Sequence, residues 1–317
     1  MSQSDTTPTE PHHPDEHTDC DESPDAQSAL AAPAIGTDAA AGADAAEGTP
    51  FEAEDLVVGY PTSNGPVVDG ESLVAAPGEV TALVGPNGSG KSTLLKAMAD
   101  QLAPEAGAVR IDGSEVADMD AKDLARRLGL LSQENVAPDS ITVRKLVEHG
   151  RYPHRGFFDG LTEEDRAAVD RAIDLAGVDH LRDRDVGSLS GGQKQLVWIA
   201  MVLAQETDVL LLDEPTTFLD MHHQLEVMEI IETLRAESDK TVVVVLHDLQ
   251  QAARLADRVV ALQDGAVRSR GSPEAVVTED LLADVFGIEA DVVPTDRGPQ
   301  ITPLRPLHDD GGTDRHD

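Results

Sequence analysis

The chain has 317 residues, enough to bury a large core in one domain or in two smaller ones. Its 60 acidic residues far outnumber its 24 lysines and arginines, so the formal net charge is -36 at pH 7. Proteins that bind nucleic-acid backbones do so with clustered lysine and arginine, and this charge balance therefore argues against a nucleic-acid partner.

The first 50 residues are mainly Pro, Ala, Gly, Thr, Asp and Glu, with almost no large apolar side chain. Such a segment buries too little surface to offset its conformational entropy, so we expect a disordered acidic tail over 1–50. A second disordered tail is expected over 308–317. His12, His13, His17 and Cys20 lie in the first tail, but their spacing matches no strong zinc pattern, and a solvated segment is expected there.

From Phe51 onwards, segments with strand periodicity alternate with segments of helical periodicity. Strands are expected over 56–60, 79–84, 108–111, 209–212 and 241–246, with a closing hairpin over 259–262 and 266–269. Helices are expected over 92–102, 163–176, 222–236 and 249–255, and another is expected from just after Gly191 through Trp198 to Ala204. The alternation predicts an α/β fold over 51–307, with a parallel sheet core covered by helices on both faces.

The stretch from about 124 to 189 is mainly helical in pattern and lacks long β-branched runs. It separates two motifs described below, so a helical subdomain inserted into the α/β core is expected at about 124–205. Trp198, on the last helix of this stretch, is interpreted as a packing residue.

Cys20 is the single cysteine, so no disulfide can form within the chain. No signal peptide is visible, and no run reaches the roughly 18 apolar residues that span a bilayer. Any membrane contact is therefore expected to come through a partner.

The run Gly85-Pro86-Asn87-Gly88-Ser89-Gly90-Lys91-Ser92-Thr93 fills every fixed position of the phosphate-binding pattern G-x-x-x-x-G-K-S/T. It follows an apolar strand and precedes a helix, as this chemistry requires. Backbone N–H groups of such a loop and the helix amino terminus bind phosphate oxygens. We expect Lys91 to contact the β- and γ-phosphates of ATP, and Ser92 to bind Mg²⁺ through its hydroxyl.

A second apolar strand ends in two adjacent carboxylates, in the run Val209-Leu210-Leu211-Leu212-Asp213-Glu214-Pro215. The carboxyl end of a parallel strand lies at the same sheet edge as the phosphate loop. Asp213 is therefore expected to hold Mg²⁺ through a water molecule. Glu214 is expected to polarise the attacking water as a general base.

With the run Leu189-Ser190-Gly191-Gly192-Gln193, these motifs make the chain resemble the nucleotide-binding subunits of ABC transporters over about 51–307. The resemblance implies a P-loop NTPase fold with a mixed sheet and an ATPase that closes as a homodimer around two ATP molecules. It also implies that Ser190, Gly191, Gly192 and Gln193 act on the ATP bound to the opposite subunit. A Ser-Gly-Gly turn that simply caps a helix would have the same geometry.

Four single residues match further motifs of that family. By resemblance, Gln133 contacts Mg²⁺ and couples to the transmembrane partner, and Asp220 lies in the loop that passes between subunits. His247, which follows the strand over 241–246, is implied to contact the γ-phosphate. Tyr60 is placed like the aromatic residue that stacks on adenine. The neighbouring His222 and His223 are interpreted as solvated surface.

A single ABC cassette without a membrane span or a coiled-coil arm favours an importer subunit. Its implied partners are transmembrane permease subunits and, through them, an extracellular substrate-binding protein, with the ATPase at the cytoplasmic face of the membrane. The runs Ile141-Thr142-Val143 and Glu148-His149-Gly150-Arg151-Tyr152-Pro153-His154 resemble ATPases for ferric siderophore uptake, with cobalamin and haem importers as close alternatives. A soluble mechanochemical ABC ATPase that acts on a macromolecule is the alternative from another class.

The segment around these runs is unusually basic for so acidic a chain, with Arg144, Lys145, Arg151 and Arg155 close together. We expect it to face the coupling helices of the permease; scattered surface arginines would be the structural alternative. The scarcity of lysine relative to arginine and the abundance of aspartate resemble proteins of salt-loving archaea. A halophilic protein of this kind is expected to require salt to stay folded, since about 1 M salt shortens the Debye length to roughly 3 Å.

Overall fold

A computed structural model describes residues 49–63, 65–156 and 159–307. Apart from Thr49 and Pro50, the two predicted tails lie outside these ranges, together with the His and Cys residues of the first tail.

Strands and helices alternate through the described residues. The strands are β1 Phe51–Val58, β2 Val68–Ala75, β3 Val80–Val84, β4 Ala106–Ile111, β5 Ser114–Glu115, β6 Leu128–Leu131, β7 Val209–Asp213, β8 Thr241–Val245, β9 Arg258–Gln263, β10 Ala266–Gly271, β11 Ile288–Val293 and β12 Gln300–Pro306. The α-helices are α1 Lys91–Met98, α2 Ala121–Arg127, α3 Val143–Glu148, α4 Glu163–Leu175, α5 Gly191–Leu203, α6 Met221–Glu237, α7 Leu249–Leu255, α8 Pro273–Val276 and α9 Glu279–Phe286.

A six-stranded sheet in the order β10-β9-β3-β8-β7-β6 forms the centre of the fold. All of its neighbouring pairs are parallel except the β9–β10 hairpin. Every residue of β3, β7 and β8 is buried, as expected for parallel strands covered on both faces. Alternate residues of β8 enter two different cores: Val242 and Val244 pack into one, and Val243 and Val245 into the other. The predicted covering of both faces is confirmed.

The two cores have different partners. On one face, α3, α4 and α5 pack with α6 and α7 through residues such as Val147, Ile173 and Val197. On the other face, α1 lies between the central sheet and a second, antiparallel sheet in the order β2-β1-β4-β5. Phe51 of β1 and Met98 of α1 are both fully buried in that second core. A separate two-stranded sheet, β11-β12, follows α9.

Several strands have no counterpart among the predicted ones. β6 lies inside the stretch for which a mainly helical pattern was expected, yet it pairs in parallel with β7 along its whole length. Only four residues form it, too few to show a strand period. Among the other unpredicted strands, β5 has two residues, β12 is largely exposed, and β2 and β11 are only partly buried and carry polar residues among the apolar ones.

Arg151 is a buried structural cation, and the prediction that it belongs to a surface docking patch is wrong. Its side chain is 4% exposed and donates to Asp165 at 2.9 Å, to Glu206 at 3.0 Å and to the carbonyl of Ala204 at 2.9 Å. Despite the cost of burial, hydrogen bonds from Thr162 and Arg151 hold the pKa of Asp165 at about 2. The network joins the 3₁₀ turn His149–His154 to α4 and to the end of α5.

Among the described residues, none of the helices combines the length and the hydrophobicity of a membrane-spanning segment.

Candidate functional site

Parallel β3, β6, β7 and β8 all end at one edge of the central sheet, and the residues that follow them form the site. The loop 85–90 follows β3, and Gln133 lies two residues beyond β6. Asp213 is the last residue of β7 and Glu214 follows it, while His247 lies two residues beyond β8. The topology therefore brings together four motifs that are up to about 160 residues apart in sequence, as expected for ligand sites of α/β folds.

The loop between β3 and α1 requires glycine at particular positions. A Cβ atom on Gly85 would lie 2.1 Å from the carbonyl oxygen of Leu262, so no side chain fits there. Gly90 caps the amino terminus of α1 with φ of 98°, in the left-handed region that favours glycine. The chain can thus turn tightly enough for its amide groups to face one concavity.

Lys91, at the first position of α1, lies over this loop and is 5% exposed. Its ammonium group donates to the carbonyls of Gly85 and Pro86, each at 2.9 Å, and lies 3.4 Å from the hydroxyl of Ser89. Burial lowers the pKa of Lys91, whereas the nearby carboxylates of Glu214 and Asp213 act to raise it.

Asp213 and Ser92 form the polar centre of the edge. The hydroxyl of Ser92 donates to Oδ1 of Asp213 at 2.9 Å. The other oxygen, Oδ2, is buried and has no hydrogen-bond partner among the described residues. Burial raises the pKa of Asp213, with the Ser92 hydrogen bond opposing this and the charge of Glu214 adding to it. An unpartnered buried carboxylate oxygen beside a hydroxyl suits a small hard cation, so these two residues fit a magnesium site.

Three side chains contact the carboxylate of Glu214. Its Oε1 lies 2.5 Å from Nε2 of His247, and its Oε2 accepts from the amide of Gln133 at 2.8 Å and from Thr217 at 3.3 Å. Its backbone has φ of 52°, an uncommon conformation for a residue with a side chain. A cavity of about 590 Å³, lined in part by Asn87, lies in front of these groups. Gln133, which was predicted as a metal ligand, thus donates its hydrogen bond to Glu214 and not to Asp213.

Tyr60 lies in the turn that follows β1 and is 38% exposed. Its hydroxyl is 3.4 Å from that of Thr93 on α1, which places the ring beside the phosphate-binding loop.

Ser190 and Gln193 form a reciprocal capping box at the start of α5. The hydroxyl of Ser190 accepts from the backbone N–H of Gln193, and the side chain of Gln193 accepts from the N–H of Ser190, both at 3.2 Å. Ser190 and Gly191 are exposed. No hydrogen bond between the described residues links this turn to the loop 85–93 of the same chain.

Asp220 caps α6 and accepts twice through Oδ1, from the backbone N–H of His223 at 3.1 Å and from its ring Nδ1 at 2.9 Å. His222 is 79% exposed, as predicted, but the interpretation of His223 as solvated surface is wrong, because its side chain is only 19% exposed. The spacing D-x-x-H at the start of a helix could have indicated this contact, because the side chain of a cap residue lies close to the residue three positions later.

Three glutamines that contact the loop 215–220 or one another were also not predicted from the sequence. Gln195 of α5 donates to the carbonyl of Pro215 at 3.0 Å, and Gln224 of α6 donates to that of Leu219 at 3.1 Å. Gln251 of α7 donates to Gln224 at 3.0 Å. Side chains of three helices therefore hold the loop 215–220, and no sequence pattern marks them.

Comparison with known proteins identifies the family. The sequence model described as ABC transporter matches residues 68–217. The ferric enterobactin transport ATP-binding protein FepC of Escherichia coli (strain K12) is 42% identical over 253 residues, which cover 79% of this chain and 93% of FepC. The chain belongs to the ABC transporter family. It is an ATP-binding protein that hydrolyses ATP.

Other members relate this ABC ATPase to import systems. The iron(3+)-hydroxamate import ATP-binding protein FhuC of Bacillus subtilis (strain 168) is 42% identical over 240 residues, 76% of this chain and 88% of FhuC. The cobalamin import ATP-binding protein BtuD of Halobacterium salinarum is 41% identical over 232 residues, 73% of this chain and 58% of BtuD.

Solved structures of the family share the fold. An ABC transporter described as of metal-chelate type, in an inward-facing conformation, superposes with a TM-score of 0.70 at 26% identity, over 82% of this chain and 98% of that one. A bacterial ABC transporter cassette solved as a dimer gives a TM-score of 0.63 at 28% identity, over 70% and 98%. The predicted fold class, a P-loop NTPase core with a mixed sheet, is confirmed.

Proposed function

We propose that this ABC ATPase energises an importer that takes up an iron(III)-siderophore-type metal chelate. The observation that carries the proposal is the match to FepC and FhuC, each at 42% identity over most of its own length. Because the substrate of such a system is chosen by other subunits, the resemblance of the ATPase supports the class of chelate and not a particular compound.

The geometry supports assigned roles in hydrolysis. Lys91 and the amide groups of 85–93 would bind the β- and γ-phosphates, with Tyr60 against the adenine ring. Ser92 and Asp213 would hold Mg²⁺, with Gln133 approaching from the side of Glu214; the ion would neutralise charge on the phosphate oxygens. Glu214 would accept a proton from the attacking water, and His247, already against Oε1, would hold Glu214 and face the γ-phosphate.

A homodimer would complete the site. At the start of α5, Ser190 and Gly191 are exposed and Gly192 is partly buried. The first backbone N–H groups of a helix have no partner within it and suit a phosphate, and between the described residues none of them is hydrogen-bonded to the loop 85–93 of the same chain. We propose that they bind the γ-phosphate held by a second copy, with Gln193 shaping the turn and Asp220 beside the same interface. The dimeric cassette of similar fold supports this arrangement.

The permease would dock beside the 3₁₀ turn His149–His154. A groove of about 480 Å³ lies there, between this turn, α2 and the end of α1. Tyr152, 56% exposed, stacks on His149 with ring centroids 4.8 Å apart, and the guanidinium of Arg155 lies 5.7 Å from the centre of its ring. Burial lowers the pKa of His149, with the charge of Glu148 opposing this, so the neutral form of the ring is favoured. With the nearby Arg144 and Lys145, this surface replaces the predicted patch that included Arg151.

In this assembly, an extracellular substrate-binding protein would deliver the chelate to the permease, and the ATPase would lie at the cytoplasmic face of the membrane. Uptake of labelled ferric siderophore and of labelled cobalamin by a strain that lacks the gene, with and without the gene restored, tests the proposal. Restoration of siderophore uptake alone is the expected result.

The similarity to BtuD of Halobacterium salinarum makes cobalamin the second candidate substrate, and restoration of cobalamin uptake alone would support it. If neither uptake responds, the haem importer and the mechanochemical ATPase acting on a macromolecule remain as alternatives.

A further inference from the structure

The imidazole of His223 lies between two loops of the same protomer, the one that ends at Asp220 and the one that starts α5. Its Nδ1 is 2.9 Å from Oδ1 of Asp220, the same oxygen that accepts the backbone N–H of His223. A carboxylate only accepts, so Nδ1 carries the proton and the ring plane is fixed by this bond.

The part of the ring formed by Cγ, Cδ2 and Nδ1 lies against Gly192. A Cβ atom added there would lie 2.4 Å from Cγ, 2.5 Å from Cδ2 and 2.6 Å from Nδ1 of His223. These distances are far below contact distance, so His223 alone is enough to require glycine at this position. The steric reason is independent of any ligand that Gly192 contacts.

A second contact joins the same two parts of the chain. Gln195, one helical turn after Gly192, donates to the carbonyl of Pro215 at 3.0 Å. The loop 215–220 is thus fixed to α5 at its start through Gln195 and at its end through His223. Between these points Phe218 has φ of 62° and is 97% exposed, a strained conformation that persists only when the surroundings hold it.

We propose that His223 is a positioning residue for ATP hydrolysis. It sets the distance between the loop 215–220 and the turn Ser190-Gly191-Gly192, so that one protomer presents both to its twin in a single arrangement. His223 acts through Asp220 and Gly192 and has no role in contacting ATP. The proposal rests on the dimer proposed above.

The test compares the steady-state hydrolysis of ATP by full-length His223→Ala, His223→Asn and His222→Ala variants. His223→Ala should lower kcat about tenfold, the effect of losing one charge-assisted hydrogen bond. Binding of a fluorescent ATP analogue to the protomer should stay within about twofold, because the loop 85–93 is untouched. Asn places an N–H near the position of Nδ1, so His223→Asn should recover most of the rate. The exposed His222→Ala is the matched control and should behave as wild type.

A double-mutant cycle with Gly192→Ala tests the steric contact directly. In the wild-type background this change should lower kcat strongly. In the His223→Ala background it should cost about tenfold less, because the colliding ring is gone. Strictly multiplicative losses would overturn the proposal, as would a wild-type rate in a folded His223→Ala protein or an equal loss in His222→Ala.

The ATP-dependent association of the wild-type protein tests the proposed dimer separately. A wild-type protein that hydrolyses ATP without any ATP-dependent association would overturn both proposals. A dimerising wild type with an active His223→Ala variant would overturn this one alone.

Discussion

Replacing Arg151 with methionine should destabilise the folded protein by about 3 kcal/mol at pH 7, without a specific effect on transport. The side chain is 4% exposed, and its removal leaves the carboxylate of Asp165, 5% exposed, without its cation. Breaking one half of a buried ion pair costs about 3–5 kcal/mol. Against the cost of burial, hydrogen bonds from Thr162 and from Arg151 lower the pKa of Asp165 from 3.8 to about 2, so Arg151 contributes part of that shift.

The pH dependence follows from the direction of that shift. Because the pKa of Asp165 is lower in the folded protein than the ordinary 3.8, its stabilising contribution is complete well above pH 3.8. It is lost as the pH falls towards about 2. The difference in unfolding free energy between wild type and Arg151→Met should therefore shrink as the pH falls from about 4 to about 2.

Urea titrations followed by circular dichroism at constant high salt measure both effects. Arg166→Met is the matched control, since Arg166 pairs with Glu163 at the surface, with 45% and 93% of the two side chains exposed. An exposed pair contributes at most about 1 kcal/mol. Equal urea midpoints for the two variants would refute the assignment of Arg151 as a buried structural cation.

Three further predictions concern turnover, docking and salt. Glu214→Gln should bind ATP normally but hydrolyse it at least about 100-fold more slowly, because the proposed general base is gone. Phosphate release at the wild-type rate would remove Glu214 from that role. Tyr152→Ala combined with Arg155→Glu should reduce uptake in cells while the isolated subunit keeps its ATPase rate, and parallel loss of both activities would argue against docking at this turn. Lowering the salt from about 1 M to about 0.01 M lengthens the Debye length from roughly 3 Å to roughly 30 Å, so the net charge of -36 should unfold the protein. A circular dichroism spectrum that does not change over this range would contradict that reasoning.

The motifs could be found in the sequence because a phosphate-binding glycine loop and a strand-end carboxylate pair each have a fixed pattern of residues. The strand-end position of Asp213-Glu214 also predicted that these carboxylates would lie at the same sheet edge as the loop 85–93, and the family resemblance placed His247 at the γ-phosphate; all three lie at one edge. Periodicity likewise located β3, β7, β8 and the β9–β10 hairpin. It could not locate β6, whose four residues are held by pairing with β7 rather than by their own pattern.

Side-chain environments were the part that the sequence did not reveal. Arg151 lies among other basic residues in the sequence, which suggested an exposed side chain. In the structure it is buried and paired with Asp165 and Glu206. His222 and His223 are adjacent and chemically identical, but only one of them faces Gly192 across the start of α5. Such differences arise from packing between helices that are distant in sequence, and only the folded structure contains them.

In the proposed dimer, each ATP lies between the Lys91 loop of one protomer and the Ser190-Gly191-Gly192 turn of its twin. A crystal structure of Glu214→Gln with ATP and Mg²⁺ tests it most directly. We expect a symmetric dimer in which the γ-phosphate accepts from Lys91 of one protomer and from the hydroxyl and amides of that turn in the other. A nucleotide bound entirely within one protomer, with the turn in solvent, would contradict it.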